Sequence, residues 1–264
     1  MIGCIIQARI GSTRLPGKVM LNLDENPVLY YVLEQLRSCK LVDKTIVATT
    51  TLDEDDVIEN FVATMNVDVF RGSPNDVLDR YYQCAKEFSI DTIVRITADN
   101  PLIDPTIVDD LIKEFTANSY DCLTNAYVRT FPYGTEVEIF SFESLEKAWK
   151  NAIKPSEREH VTPYLYNNSG NFKIFNVEHP KNISNLRWTI DRENDLTLVK
   201  LIVSKIKKRP ILMNDILDLL SKEPELFEIN KNQIPHEGYQ KSLKEDEEYL
   251  KSRKKDRENH DKEN

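Results

Sequence analysis

Apolar positions in the first 120 residues fall into two alternating patterns. Residues 2–8 (IGCIIQA), 44–50 (KTIVATT), 67–70 (VDVF) and 91–97 (DTIVRIT) are near-continuous apolar runs rich in Val and Ile, the character of strands buried on both faces. Between them, residues 27–38, 53–65 and 75–88 carry apolar side chains at helical spacing. This βαβαβα rhythm predicts a parallel sheet with right-handed crossovers. Ser73-Pro74 and Asp104-Pro105 each put a capping side chain before a proline, and so mark two expected helix starts. After about residue 119 the rhythm loosens. Residues 120–125, 135–140, 172–178 and 187–190 read as strands, and 141–152, 157–167 and 192–206 as helices. The later strands of such an α/β layer need not all be parallel. There is no internal repeat. Residues 241–264 hold eight basic and eight acidic side chains with little apolar beyond Leu243, Tyr249 and Leu250, which predicts a solvated helix fraying into disorder.

Composition narrows the function. With 35 Lys and Arg against 44 Asp and Glu, the 264-residue chain carries a formal charge of -9. That balance argues against an obligate nucleic-acid binder, whose affinity rests on clustered cations displacing counterions. No apolar run approaches the roughly eighteen residues of a membrane span. The opening MIGCIIQAR is too short and lacks the basic flank of a signal peptide, so the expectation is a cytosolic protein. Cys4, Cys39, Cys84 and Cys122 stand 35 or more positions apart. They read as reduced, buried small hydrophobes rather than metal ligands.

The sharpest local signal follows the first strand. Ala8, Arg9, Gly11, Ser12, Arg14 and Lys18 lie in a loop that packs three cations and two of the seven glycines into ten residues. Open α/β sheets bind ligands at the carboxyl ends of their strands. Glycines let backbone amides approach phosphate oxygens while Arg and Lys neutralise them; the bland alternative is a surface loop of solvated cations. A Walker A loop does not fit, because five residues separate Gly11 from Gly17 and Val19 follows Lys18, leaving no hydroxyl for magnesium. No GxGxxG dinucleotide fingerprint is present.

The pattern I-I-x-A-R-x-G-S-x-R-L-P-G-K resembles the N-terminal signature of cytidylyltransferases that make CMP-activated acidic sugars, the CMP-KDO and CMP-acylneuraminate synthetases. It is most similar to the spore-coat polysaccharide SpsF type. The resemblance continues through residues 69–82, 94–105, 134–149, 156–166 and 187–195, covering about residues 1–205. It implies a three-layer Rossmann-like, GT-A-like nucleotide-diphospho-sugar transferase fold with a mostly parallel mixed sheet. The expected organisation is a cytidylyltransferase domain over 1–210, a helical extension over 211–238 and a charged tail over 239–264. CTP, Mg²⁺, a small acidic sugar and a homodimer are the implied partners.

Asp99 directly follows the strand at 91–97 and so shares the sheet edge with the cationic loop. A carboxylate there can hold Mg²⁺, the role the resemblance implies, or cap the following turn, for which Asp104 is better placed. Asp191 reads by default as the N-cap of the next helix; the resemblance makes it a metal- or substrate-associated aspartate, although Arg192-Glu193-Asn194 replaces the family's Thr-Pro-Glu. Arg71, Ser73 and Asp76 fall where the family contacts base and ribose, although Ser73 and Asp76 equally suit a helix cap and a first-turn acid. Thr97 stands where KDO-type enzymes carry a base-reading glutamine. Glu136, Glu138 and His160 lie in segments that form the family's acceptor pocket and dimer contact; strand alternation puts the two glutamates on one face, and His160 equally suits packing. Glu159 completes a Ser156-x-x-Glu159 capping box. Three rivals stay open: a sugar-1-phosphate nucleotidylyltransferase, although its longer glycine-rich loop is lacking; a nucleotide-sugar glycosyltransferase, although Asp99-Asn100-Pro101 offers no D-x-D element; and a non-catalytic nucleotide-binding protein.

Overall fold

In the computed structural model, which describes residues 1–231 and 237–263, the first half follows the predicted alternation. Strands β1 (Ile2–Gln7), β2 (Lys44–Thr50), β3 (Asp68–Gly72) and β4 (Thr92–Thr97) alternate with helices α1 (Val28–Leu36), α2 (Asp56–Thr64) and α3 (Val77–Glu87). Next come α4 (Pro105–Ala117), β5 (Cys122–Thr124), β6 (Glu138–Ser141), α5 (Phe142–Asn151), α6 (Pro155–His160) and α7 (Pro163–Asn167). The chain ends with β7 (Ile174–Asn176), α8 (Glu193–Lys205), α9 (Met213–Lys222) and α10 (Glu237–Glu263). The strands form one sheet in the order β3-β2-β1-β4-β6-β5-β7. β6 is antiparallel to both β4 and β5, whereas the other neighbouring strands are parallel.

Alternate side chains of β1 explain its unbroken apolar run. Cys4 and Ile6 enter a core with Leu29, Leu33, Val108, Ile112 and Val199 from α1, α4 and α8. Ile5 points the other way, into a core with Leu78, Tyr81 and Leu145 from α3 and α5. Helices therefore cover both faces, and no strand face is left to carry polar alternation. Ile211, Met213, Ile216 and Leu226 join the first core, and Gln35 clamps the entry to α9 by bonding to the amide and carbonyl of Ile211. The four cysteines are free, and burial pushes the Cys39 thiol up to about 12. Among the described residues no helix is long and apolar enough to cross a membrane.

Several local expectations fail for identifiable reasons. Asp104 caps α4 as predicted, accepting from the Thr106 amide at 2.8 Å. Ser73-Pro74, in contrast, stays in the loop: α3 begins at Val77, and Asp76 is its cap, accepting from the Asp79 amide at 2.8 Å. The helix expected over 157–167 breaks at Val161, whose φ of 71° lies in the left-handed region that disfavours a β-branched residue. The Ser156–Glu159 capping box does not form, because α6 starts earlier and Ser156 bonds to Asp246 instead. Residues 187–190 make no ladder beyond a Tyr133–Arg187 bridge. The C-terminal tail is helical; Lys241, Leu243, Lys244 and Glu245 are exposed as expected, while Ser242 and Asp246 are buried on the face toward the sheet domain. Residues 232–236 and Asn264 of the expected extension and tail lie outside the described residues.

Candidate functional site

The chain leaves β1 for β2 and β3 on one side, then returns to lay β4 on the other. Such a reversal opens a crevice at the carboxyl ends of the two central strands. Gln7 pairs with Thr97 there, so the cationic loop and Asp99 leave the sheet side by side. Asp55, fully buried, anchors the loop by accepting from the Ile10 amide at 2.7 Å and from the Thr50 hydroxyl. Gly17, at φ 67°, makes the left-handed turn that returns its amide to the Ile10 carbonyl at 3.0 Å, a conformation open to glycine without strain. Leu15 and Val19 sink into the core. The apolar residues thus pin the loop, and Ala8, Arg9, Gly11, Ser12, Arg14 and Lys18 face a cavity of about 1080 Å³.

Residues 187–191, which failed to form a strand, have a different task. The amide of Ile190 bonds to the Asp99 carbonyl at 2.9 Å, and that of Trp188 to the Tyr133 carbonyl at 2.8 Å. This path delivers Asp191 beside Asp99. Lys18 Nζ sits between them, donating to Asp99 Oδ2 at 2.6 Å and Asp191 Oδ1 at 2.9 Å. Asp191 also accepts from Arg14 and from Arg187 Nη2, the latter at 2.6 Å. It is not the cap of α8. Arg192 holds that position, and Asp195 in the first turn reaches back to accept from the Asp191 and Arg192 amides at 3.0 Å each. Burial opposes ionisation of Asp191, but Lys18, Arg14 and Arg187 outweigh it and hold the carboxyl well below the usual range. Burial likewise opposes the charge on Lys18, and the two aspartates overcome it and raise its pKa. Among the described residues no group of three or more His, Cys, Asp and Glu is arranged to hold a metal. Two carboxylates meeting on one cation do fit Mg²⁺, which takes one or two acidic ligands and completes its shell with water and substrate phosphate.

The remaining sequence candidates divide. Thr97 and Asp76 line the cleft; the Thr97 hydroxyl donates to Asp99 Oδ1 at 2.5 Å, and Asp76 accepts from Arg158 Nε at 2.8 Å. Arg71 turns away, bound to Asp56, Glu59 and the Thr50 and Leu52 carbonyls. Neither it nor Ser73, whose carbonyl accepts from Arg80, is among the cleft-lining residues, so their expected nucleotide contacts have no geometric support. Glu138 is buried beneath the cleft, accepting from Arg95, from Thr162 at 2.7 Å and from Tyr166 at 2.6 Å. Glu136 is tied to Arg129 at 2.6 Å and the Gly134 amide at 2.7 Å. The two glutamates therefore brace the site rather than open into it. His160 does line the cleft. Burial, and next the Arg95 charge, push it down to about 4. Residues that sequence reasoning missed include Asp55, Arg95, Arg187 and Asp195. Glu159 is a correction: it binds Arg9 Nη2 at 2.8 Å instead of capping a helix. For Asp55 the sequence offers only an acidic run, and for Arg95 a lone cation within an apolar strand.

Comparisons with known proteins bear on the family of the chain. A protein-family model described as cytidylyltransferase matches residues 3–253. The spore coat polysaccharide biosynthesis protein SpsF of Bacillus subtilis is 31% identical over 84% of this chain and 94% of its own length. A 3-deoxy-manno-octulosonate cytidylyltransferase of Trichlorobacter lovleyi is 36% identical over 44% of this chain and 46% of its own length. Among solved structures, a cytidylyltransferase from Leptospira borgpetersenii superimposes with a TM-score of 0.84 at 38% identity, covering 88% of this chain and 98% of the other.

Proposed function

The chain belongs to the cytidylyltransferase family, and from that premise we propose that it transfers CMP from CTP to an acidic sugar, nonulosonic or KDO-like, with release of pyrophosphate. The observation that carries this reading is Lys18, held between Asp99 and Asp191 at the switch point of the sheet. The acceptor hydroxyl oxygen forms the new bond to the α-phosphorus and gives up its proton to solvent, the bond from the α-phosphorus to the bridging oxygen breaks, and pyrophosphate leaves with the electron pair of that bond. This displacement asks the protein for positioning and charge neutralisation more than for covalent chemistry. Arg9, Arg14, Lys18 and the loop amides orient the triphosphate and stabilise the departing pyrophosphate. Asp99 and Asp191 would hold Mg²⁺, which supplies charge neutralisation at the phosphates and a lowered acceptor-hydroxyl pKa. Thr97 fixes the Asp99 carboxylate through its hydroxyl.

The test is pyrophosphate release from a panel of nucleoside triphosphates with Mg²⁺ and acidic-sugar acceptors. CTP should be preferred. Asp99→Ala should lower turnover by about a thousandfold, the scale of several kcal/mol of transition-state stabilisation. Near-normal turnover in that variant sinks the assignment of Asp99, and release with no acceptor in the panel sinks the transferase reading.

A further inference from the structure

One wall of the cleft comes from outside the sheet. α10 lends it Glu237, Gly238, Gln240, Lys241, Ser242 and Lys244. A helix this polar has little apolar surface to hold it in place; the Tyr239 ring packs edge-on against His160, and polar contacts add to it at several points. Asp246, 7% exposed, accepts from the Ser156 amide at 2.8 Å and the Ser156 hydroxyl at 2.6 Å. One turn earlier the Ser242 hydroxyl bonds with His160 Nε2 at 3.0 Å. At the start of the helix Glu237 meets two guanidinium groups. Arg192 Nη2 donates to both carboxylate oxygens at 2.9 Å, and Arg14 Nη1 lies 3.6 Å from Glu237 Oε2. Gly238 packs beside the same Arg14: a β-carbon there would lie 3.7 Å from Nη1.

Arg14 belongs to the loop assigned to phosphate. A carboxylate and a phosphate compete for the same face of a guanidinium. The contacts also differ in depth along the helix. Asp246 is buried, while the Glu237 and Arg192 side chains are 37% and 44% exposed. A half-exposed ion pair shifts an equilibrium by no more than about fivefold, which a multiply charged ligand easily outweighs.

We propose that α10 is a lid over the cleft, anchored by Asp246 and latched by Glu237 on Arg14, and that an incoming triphosphate displaces the Glu237 carboxylate and frees the first turns of the helix. This rests on reading the Arg9–Lys18 loop as a triphosphate site. Glu237 lies against the Nη1 edge of Arg14, whose Nη2 is held by Asp191, until the ligand arrives, so part of the ligand's binding energy goes into opening the lid, and apparent affinity falls by the fraction of molecules latched.

The test titrates inorganic tripolyphosphate and, separately, CTP into the full-length protein by calorimetry, with hydrogen exchange followed along α10. Glu237→Gln should tighten tripolyphosphate binding by about three- to fivefold. Glu245→Gln removes a carboxylate that also lines the cleft but touches Lys241 rather than Arg14, and it should change affinity less than twofold. In the wild type, tripolyphosphate should speed exchange at amides 238–242; in Glu237→Gln those amides should exchange fast without ligand. Asp246→Ala, which cuts the anchor, should raise exchange along the helix before ligand is added. Equal affinity in Glu237→Gln and wild type overturns the lid, as does equal tightening by Glu245→Gln or exchange at 238–242 that ligand leaves unchanged. Should tripolyphosphate bind and open the helix while CTP yields no pyrophosphate with any acceptor, the lid stands and the transferase reading falls. CTP turnover with no effect of Glu237→Gln on binding or exchange gives the reverse. No tripolyphosphate binding at all counts against both.

Discussion

Asp195 shows how much of the site depends on a side chain that never reaches the cleft. Fully buried, it accepts from the Asp191 and Arg192 amides, from Arg187 Nε at 3.1 Å and from Asn230 Nδ2 at 2.8 Å. Replacing it with Ala would leave two amides without their acceptor and Arg187 paired with Asp191 alone, a loss of about 2–3 kcal/mol. Urea unfolding of Asp195→Ala should register that drop, together with weakened nucleotide binding as Asp191 loses its support. His160 makes a second residue-scale prediction. Its folded pKa, about 4, lies below the ordinary 6.5, so between those values the unfolded chain binds more protons than the native one. Stability therefore falls as pH drops through that window, by at most about 3 kcal/mol. The urea midpoint should decline from pH 7 to pH 4 more steeply in the wild type than in His160→Asn; parallel declines would refute it. Lys18 and Asp99 could be located from sequence because loop cations and a strand-end acid are local signals. The partners of Arg9 and Arg14 could not, since Glu159 and Asp191 lie 150 and 177 positions away.

Elements were legible where their signals were local. β2 and the first half of the sheet follow from unbroken apolar runs, and α4 follows from Asp104-Pro105. The same dipeptide logic misled at Ser73-Pro74, because a second acceptor, Asp76, stands nearer the first orphan amides of α3. The two sites can be compared directly. Asp104 also accepts from the Met213 amide at 2.7 Å, so Asp104→Ala should cost about 2 kcal/mol. Ser73→Ala should stay within about 0.5 kcal/mol. Thermal melts of the two variants, matched to wild type, check the ranking. Residues 187–190 read as a strand because Trp188 and Ile190 alternate with polar neighbours, and both are indeed buried. Burial alone does not make a ladder, and here the amides bond to the Asp99 and Tyr133 carbonyls on separate segments.

At the scale of the whole molecule, β7 ends the sheet and leaves an edge. Phe175 on that strand is 38% exposed, and Tyr127 and Val128 are more open still. Asn176 joins the two segments through the Val128 amide at 2.9 Å. An apolar sheet edge of this kind favours association, and a second copy is the partner we expect. Light scattering should show a dimer, and Val128→Lys should shift it to monomer while leaving Phe175 stacked on Tyr120. The alternation of buried strands and amphipathic helices determined the α/β class, and the density of cations after β1 marked the loop where an anionic ligand is expected. Both are properties of neighbouring residues, readable from spacing alone. What only the tertiary structure decided is which acids answer those cations. Asp191 arrives along a segment with no regular structure, and Glu159 and Glu237 arrive from helices packed across the cleft. Charge pairing depends on distance in space, and no local pattern along the chain encodes which distant carboxylate closes that distance.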